Sequence, residues 1–284
     1  MVPSFIITFR ETLEAALVVG IALSYLARTK QTRYNRVVYS GVLAGAVASV
    51  IAAVLFDRLA GGFSGRAEEI FEGITMLVGA LLLTTMILWM LRQRHVAQEL
   101  ENRVAAEVAQ ANVWGLFGLL AVSVLREGIE TVIFLSAAAA GSSGSSLSGA
   151  VVGIVAAVAL GIAMFAGARR ISLKAFFTVT SILLILFAAG LVAQGVHELQ
   201  EAHILPVLVE HVWNLNPELN VDGSFPLLHE SGELGSLLKS LFGYNGNPSL
   251  LEVLSYGAYL AAVLFAWRSP SKDALATRES SDPV

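Results

Sequence analysis

Residues 4–27 of this sequence read SFIITFRETLEAALVVGIALSYLA. The segment is apolar and longer than the ~20 residues that a helix needs to cross the hydrocarbon core of a bilayer. It nevertheless contains three charged residues, Arg10, Glu11 and Glu14. Because these charges lie inside the apolar run and no basic segment precedes it, the run does not have the pattern of a cleaved signal peptide. The segment therefore predicts a transmembrane helix that carries charge inside the membrane.

The whole chain shares this apolar character. Of its 284 residues, 56% are hydrophobic and only 14% are charged, whereas about 25% are charged in soluble domains. A soluble fold of this length could not bury so much apolar surface. Cysteine is absent, which excludes disulfide scaffolds and thiolate metal sites. The net charge is −4 and the basic residues are scattered, so the expected partner is the lipid bilayer and not nucleic acid.

Seven segments are long and apolar enough to span a bilayer. Most of the 18 basic residues lie between spans 1 and 2, 3 and 4, and 5 and 6, or follow span 7. Because cytoplasmic loops are rich in lysine and arginine, this distribution predicts an N-terminus outside the cell. We expect one domain over residues 1–268 and a disordered cytoplasmic tail over residues 269–284. The fold predicted is an all-α, polytopic membrane protein with transmembrane helices at residues 4–27, 37–60, 69–91, 112–139, 148–168, 175–198 and 250–267.

Two segments outside the predicted spans have a pattern of their own. Residues 93–110 are charged and amphipathic, which predicts a short helix at the cytoplasmic surface. Residues 199–249 form the long outer segment, and it is acidic. Its apolar runs at 205–213 and 234–242 predict short helices that pack over the membrane face.

A five-residue motif occurs twice, as Arg10-Glu-Thr-Leu-Glu14 in span 1 and as Arg126-Glu-Gly-Ile-Glu130 in span 4. Both pentads fit R-E-x-[LI]-E, and both continue into an apolar helix. Since span 1 runs inward and span 4 runs outward, their positions predict two inverted repeats of three helices each, with span 7 added. Inverted repeats place substrate sites near the bilayer midplane, where the repeats meet.

The pentads have the residue types of a cation site. An ionisable group at the centre of a span costs at least about 2.5–3.5 kcal/mol on insertion scales, so such groups pair with one another or serve a substrate. In each pentad the two glutamates lie on nearly one helix face, and the arginine can pair with the second. Four converging carboxylates suit a hard cation, although a purely structural ion-pair network would use the same residues. The predicted metal ligands are Glu11, Glu14, Glu127 and Glu130, with Arg10 and Arg126 orienting them.

Further acidic residues lie where spans 3 and 6 reach the outer surface. A set of negative charges at this place could attract cations to the entrance of a pathway or pass them inward. The alternative is that these residues are solvated helix ends. The predicted entry or relay residues are Glu68, Glu69, Glu72, His197, Glu198 and Glu201.

The paired pentads on helices 1 and 4 resemble those of the oxidase-dependent iron permease family, which includes the fungal high-affinity iron permease and bacterial iron-uptake relatives. The likeness extends to Phe71-Glu-Gly-Ile74, Gly195-Val-His-Glu-Leu-Gln-Glu201 and Phe242-Gly-Tyr-Asn-Gly-Asn-Pro248. It covers nearly the whole chain, and the double pentad is its specific part.

The resemblance implies a permease, and not an enzyme, that takes Fe(III) across the plasma or inner membrane. Iron is then the transported substrate, and no cofactor is permanently bound. The family's motif residues fall on the two pentads of this sequence. Its oxidising partner, an extracytoplasmic ferroxidase or peroxidase component, would be a separate protein here. The acidic outer-loop motif of fungal members has no counterpart, so no loop residue takes that role.

Several alternatives stay open at this point. A membrane-embedded, carboxylate-bridged metalloenzyme would use similar ligands, but such sites normally add E-x-x-H pairs, which the spans lack. A permease of the same family for another divalent metal, such as lead, is a second alternative. A metal sensor is a third. A homo-oligomer is compatible with the sequence.

Overall fold

The computed structural model describes residues 2–92, 96–140, 147–165, 173–217, 225–227 and 229–268. Within these ranges all regular structure is helical, which confirms the all-α prediction. The predicted tail at 269–284 lies outside the described residues. A short 3₁₀ helix, Thr32–Tyr34, precedes the second α-helix. The α-helices are α1 Val2–Arg28, α2 Asn35–Ala60, α3 Arg66–Arg92, α4 Val96–Ala109, α5 Val113–Ala140, α6 Leu147–Phe165, α7 Leu173–Glu201, α8 Glu233–Phe242 and α9 Leu250–Arg268.

Five of the described helices are long and apolar enough to cross a membrane. They correspond to predicted spans 2, 3, 5, 6 and 7. The two helices that carry the pentads, α1 and α5, are 27 and 28 residues long but hold three clustered charges each. The candidate spans are Thr32–Ala60, Arg66–Trp89, Leu147–Phe165, Thr178–Glu201 and Leu250–Arg268.

The long helices pack in three close pairs, α1 with α6, α2 with α5 and α3 with α7. Small residues allow the backbones to approach in the first two pairs, as is usual for helices in lipid. A Cβ atom at Gly45 of α2 would lie 2.6 Å from the carbonyl oxygen of Ala121, and one at Gly153 of α6 would lie 2.7 Å from that of Phe5. Both contacts are too short for any side chain, so these helix pairs depend on glycine.

Helices α1 and α5 run antiparallel, as two apolar clusters show. Near the start of α1, Ile7 belongs to a buried cluster with Phe134 and Ala138 of α5. Near its end, Leu26 is buried with Leu116 and Leu120. The first half of α1 therefore faces the second half of α5, and their centres, which hold the pentads, meet.

The segments outside the long helices follow the sequence predictions only in part. Of the amphipathic segment, residues 96–109 form α4, and Val104 and Val108 are buried against α1 and α5. Residues 93–95 lie outside the described residues. The apolar run at 234–242 forms α8.

The run at 205–213 is not helical, so that prediction is wrong. Pro206 lacks a backbone N–H group, and the residues after it bond to another segment instead of to their own neighbours. The N–H of Val212 donates to the carbonyl of Pro248 at 2.9 Å, and the N–H of Leu250 donates to the carbonyl of Val209 at 3.1 Å. These two hydrogen bonds join the run to the start of α9.

Candidate metal centre

In the first pentad, Arg10 holds both glutamates of its own helix. Its Nη1 atom lies 3.1 Å from Glu11 Oε1, and its Nη2 atom lies 3.0 Å from Glu14 Oε1. Nη1 also donates to Met86 Sδ of α3 at 3.3 Å. The Arg10 side chain is fully buried and Glu11 is 1% exposed. A guanidinium group can make these contacts at once because its donors form a planar fork.

The second pentad has the same connectivity. Arg126 Nη2 lies 2.7 Å from Glu127 Oε1, and Arg126 Nε lies 3.4 Å from Glu130 Oε1. The environment differs, because the Arg126 side chain is 54% exposed. The two pentads are therefore alike in their ion pairs and unlike in their surroundings.

The antiparallel packing of α1 and α5 brings the carboxylates of both pentads together. One oxygen from each of Glu11, Glu14 and Glu127 lies within 4.8 Å of the others. Glu130 interacts electrostatically with Glu14 and Glu11 across the same space. All four glutamates predicted as ligands thus belong to one cluster, and both arginines pair with it from their own helices.

Four carboxylate oxygens in the cluster are buried without a hydrogen-bond partner among the described residues. One of them, Glu14 Oε1, is in the ion pair with Arg10, and the other three are Glu11 Oε2, Glu127 Oε2 and Glu130 Oε2. A buried acceptor without a partner costs about 1–3 kcal/mol, and more when it is charged. Each of the latter three side chains has its other oxygen in an ion pair with arginine. The arrangement therefore fixes each carboxylate through one oxygen and leaves the second available as a ligand atom for a cation.

A second polar cluster surrounds a cavity of about 400 Å³ at the ends of α5 and α7. We call this space the outer cavity. Three of the predicted entry residues line it, His197, Glu198 and Glu201. Glu230, and Lys239 of α8, line it as well. The sequence assigned no role to these two residues.

The other predicted entry residues belong to the start of α3. Glu72 and Glu69 interact electrostatically with Glu198 of α7, and Glu68 interacts with Glu72. Glu68 is exposed, whereas Glu69 and Glu72 are partly buried. The structure therefore brings Glu72 beside Glu198 and leaves Glu68 at the surface.

Sequence reasoning also missed Glu252 of the outer cavity, which is 3% exposed. Its Oε1 atom lies 3.1 Å from His197 Nδ1, and its Oε2 atom accepts from Asn245 Nδ2 at 2.8 Å. The sequence signal was Ser249-Leu-Leu-Glu252, the pattern of a capping box at a helix N-terminus. The box is formed, since the Ser249 N–H donates to Glu252 Oε1 and the Glu252 N–H donates to Ser249 Oγ. The cap accounts for the pattern, and the contact with His197 becomes visible only in the fold.

Comparison with known proteins identifies the family of this chain. Residues 1–268 match the family described as the iron permease FTR1 family. The chain is 35% identical to a protein named ferrous iron permease EfeU from Shigella sonnei (strain Ss046), over 94% of this chain and 95% of that one. It is 32% identical to the protein of the same name from Yersinia pestis, over 98% of this chain and 99% of that one.

No solved structure gives a significant match. The relatives are permeases and not enzymes, and they are membrane proteins. The membrane-length apolar helices of this chain agree with a multi-pass membrane protein. The match over nearly the whole length, together with the helical fold, places this chain in the iron permease FTR1 family.

Proposed function

We propose that this protein is an iron uptake permease that binds the ion between α1 and α5, with Glu11, Glu14, Glu127 and Glu130 as ligands. The observation that carries the proposal is the set of buried carboxylate oxygens without a partner where the two pentads meet. Oxygen ligands of this kind are those that hard cations prefer. A purely structural ion-pair network would have no use for these oxygens.

The proposal takes α1 and α5 as membrane spans, which makes seven in all. At 1.5 Å per residue, helices of this length extend for about 40 Å, more than the ~30 Å of the hydrocarbon core. Charged residues in the middle of membrane-spanning helices indicate a functional site inside the membrane. The pentads lie near the centre of each helix, which puts the cluster close to the bilayer midplane.

The proposal also includes two inverted repeats, α1 to α3 and α5 to α7 with α4 between them. The helix pairing supports this symmetry. Exchanging the two repeats turns the pair of α1 with α6 into the pair of α5 with α2, and it leaves the pairs α1 with α5 and α3 with α7 unchanged. Transporters built in this way bind substrate where the repeats meet, as proposed here.

The outer cavity is the proposed entrance. The positive-inside distribution of lysine and arginine puts the N-terminus of α1 outside the cell, and the cavity lies at the same end of the molecule. Ala140, which ends α5, lines the cavity, and Glu130 precedes it on α5 by about 15 Å of helix. Glu198 and Glu72 are suited to pass an ion from the cavity towards the centre. The other predicted entry residues, Glu68, Glu69, His197 and Glu201, would increase the local cation concentration.

The resemblance of the sequence predicts Fe(III) as the transported ion, and carboxylate ligands favour it because Fe(III) is hard. It would require a separate oxidising component outside the membrane. The second candidate is Fe(II), which two observations favour. Four ionised glutamates and two arginines leave a charge of −2 at the centre, which one divalent ion neutralises. The two relatives are also named as ferrous iron permeases.

Uptake of radioactive iron into vesicles that contain the purified protein tests the proposal. Iron is supplied either as Fe(II) with a reductant under anaerobic conditions or as a soluble Fe(III) chelate, and lead is offered as a competitor. We expect iron to accumulate in protein-containing vesicles and not in empty ones, and the favoured oxidation state identifies the ion. Vesicles that accumulate lead but not iron would contradict the proposal. Iron uptake by the Glu14→Gln variant at the rate of the unchanged protein would contradict it as well.

A further inference from the structure

The outer cavity contains a carboxylate–histidine pair that the central cluster does not require. Glu252, at the start of α9, is almost completely buried, whereas the His197 side chain is 45% exposed towards the cavity. Glu252 Oε1 lies 3.1 Å from His197 Nδ1. On the other side of the ring, His197 Nε2 lies 3.3 Å from Glu201 Oε1.

The hydrogen bonds of Glu252 determine which ring nitrogen carries the proton. Asn245 Nδ2 and the Ser249 N–H already donate to this side chain, at 2.8 and 3.1 Å. An ionised carboxylate can only accept hydrogen bonds, so the contact with His197 Nδ1 requires that Nδ1 be the donor. In the neutral imidazole, Nε2 is then the acceptor, and its lone pair faces the carboxylate of Glu201.

Two acceptor atoms 3.3 Å apart repel each other unless a positive charge lies between them. Either a proton on Nε2 or a bound cation supplies that charge. The cavity attracts positive charge in either form, because four carboxylates line it against one lysine: Glu198, Glu201, Glu230 and Glu252, with Lys239. Histidines that bind metals commonly donate their other N–H to a carboxylate, which fixes the tautomer and turns the free nitrogen to the metal.

We propose that the outer cavity is a binding site for a divalent transition-metal ion, with His197 Nε2 and the Glu201 carboxylate as ligands and Glu252 as the residue that positions His197. The proposal rests on the proposed function, because it takes the cavity as the entrance for iron. An imidazole nitrogen suits Fe(II) and similar ions, whereas Mg²⁺ and Ca²⁺ prefer oxygen alone. The entrance would therefore select transition-metal ions before the carboxylate centre is reached.

Binding of Co²⁺ to the full-length protein in detergent tests this site, since Co²⁺ accepts the same ligands and its absorption spectrum reports nitrogen coordination. The titrations use a Glu14→Gln background, so that the central cluster contributes less. We expect His197→Gln to abolish the nitrogen-dependent spectrum and Glu252→Gln to weaken Co²⁺ binding by about 10-fold, the lower end of the usual effect of such supporting carboxylates. A large excess of Mg²⁺ should not displace Co²⁺.

Glu230→Gln is the matched control, because it removes the same charge from the same cavity, whereas the described contacts of the His197 ring nitrogens are with Glu252 and Glu201. If Glu230→Gln weakens Co²⁺ binding as much as Glu252→Gln does, only the charge of the cavity matters and the positioning role is wrong. An unchanged spectrum in His197→Gln would mean that the charge beside Nε2 is a proton, which also overturns the proposal.

Vesicle transport separates this proposal from the general function. With Glu14 intact, Glu252→Gln should raise the apparent KM for iron about 10-fold with little change in the maximal rate, because the supporting carboxylate affects binding at the entrance. A fall in the maximal rate alone would assign Glu252 to the helix cap and not to the entrance. Normal uptake by Glu14→Gln would instead contradict the central site and leave the Co²⁺ result standing.

Discussion

Glu14 and Glu130 are the last residues of the two pentads, and both are only partly buried, with 13% and 18% of the side chain exposed. Each forms an ion pair with the arginine four residues earlier on the same helix. In the proposed orientation α1 runs inward and α5 runs outward, so Glu130 lies on the outer side of the cluster and Glu14 on its inner side. Glu11 and Glu127, at 1% and 4% exposed, lie deeper in the protein.

Replacing Glu14 or Glu130 by glutamine removes a charge while the shape is nearly unchanged. We expect uptake to fall at least about 10-fold in each variant, because a neutral amide is a poorer ligand for a hard cation than a carboxylate. The amount of folded protein in the membrane should stay the same. Initial rates of iron uptake in vesicles, normalised to protein content, provide the measurement, and normal rates in either variant would refute the ligand assignment.

The two arginines should respond differently to replacement by lysine. Lysine keeps the charge but lacks the planar fork that pairs with two carboxylates, so both variants should transport poorly. Only Arg10→Lys should also destabilise the fold strongly, because Arg10 is fully buried while Arg126 is half exposed. Disrupting a buried ion pair costs about 3–5 kcal/mol. Thermal unfolding in detergent compares them, and equal midpoints for both variants would show that the difference in burial has no energetic consequence.

At the scale of helices, the contact between α2 and α5 depends on glycine. A methyl group at Gly45 would lie 2.6 Å from a carbonyl oxygen of α5, whereas one at Gly118 would have nothing within 4 Å. Gly45→Ala should therefore lower stability by about 1–3 kcal/mol. Gly118→Ala should leave it unchanged or raise it by about 0.5–1 kcal/mol, since alanine is the better helix residue. Thermal unfolding of the two variants decides, and a stability loss in Gly118→Ala alone would mean that the helix packing is wrong.

The ends of α3 and α7 give a second prediction at this scale. Glu198 lies in the outer cavity beside Glu72, whereas Glu68 is exposed at the start of α3. If Glu198 passes the ion inward, Glu198→Gln should lower the maximal rate at both low and high salt. Glu68→Gln should alter only the apparent KM, and only at low salt, because salt screens exposed charges beyond about 8–10 Å. Uptake rates over a range of iron concentrations at two salt concentrations make the comparison. A salt-sensitive change in KM for Glu198→Gln, with an unaltered maximal rate, would remove its relay role.

At the scale of the whole molecule, the central cluster is the part of the structure that the sequence predicted most completely. Two matching pentads in antiparallel helices placed all four glutamates together, since helix periodicity fixes which residues share a face. The different burial of Arg10 and Arg126 could not be predicted, because it depends on which other helices pack beside each pentad. Met86 of α3 contacts Arg10, and the sequence of the pentads holds no information about that neighbour.

The outer segment shows the other limit of sequence reasoning. The run at 205–213 is apolar enough for a helix, yet its backbone pairs with residues 248–250, far along the chain. Glu252 likewise shows in sequence only its local role as a helix cap. Its contact with His197 joins residues 55 positions apart. Local patterns predict helices and their faces well, whereas contacts of this range follow from the tertiary fold.

The central claim is that iron binds between α1 and α5, and anomalous X-ray scattering at the iron absorption edge from crystals soaked in iron tests it most directly. We predict an anomalous peak within coordination distance of carboxylate oxygens from both pentads, including at least one oxygen of Glu11, Glu127 or Glu130 that lacks a hydrogen-bond partner. The peak should disappear in crystals of Glu14→Gln combined with Glu127→Gln. Iron found in the outer cavity with none between the two pentads, at concentrations that saturate uptake, would contradict the account.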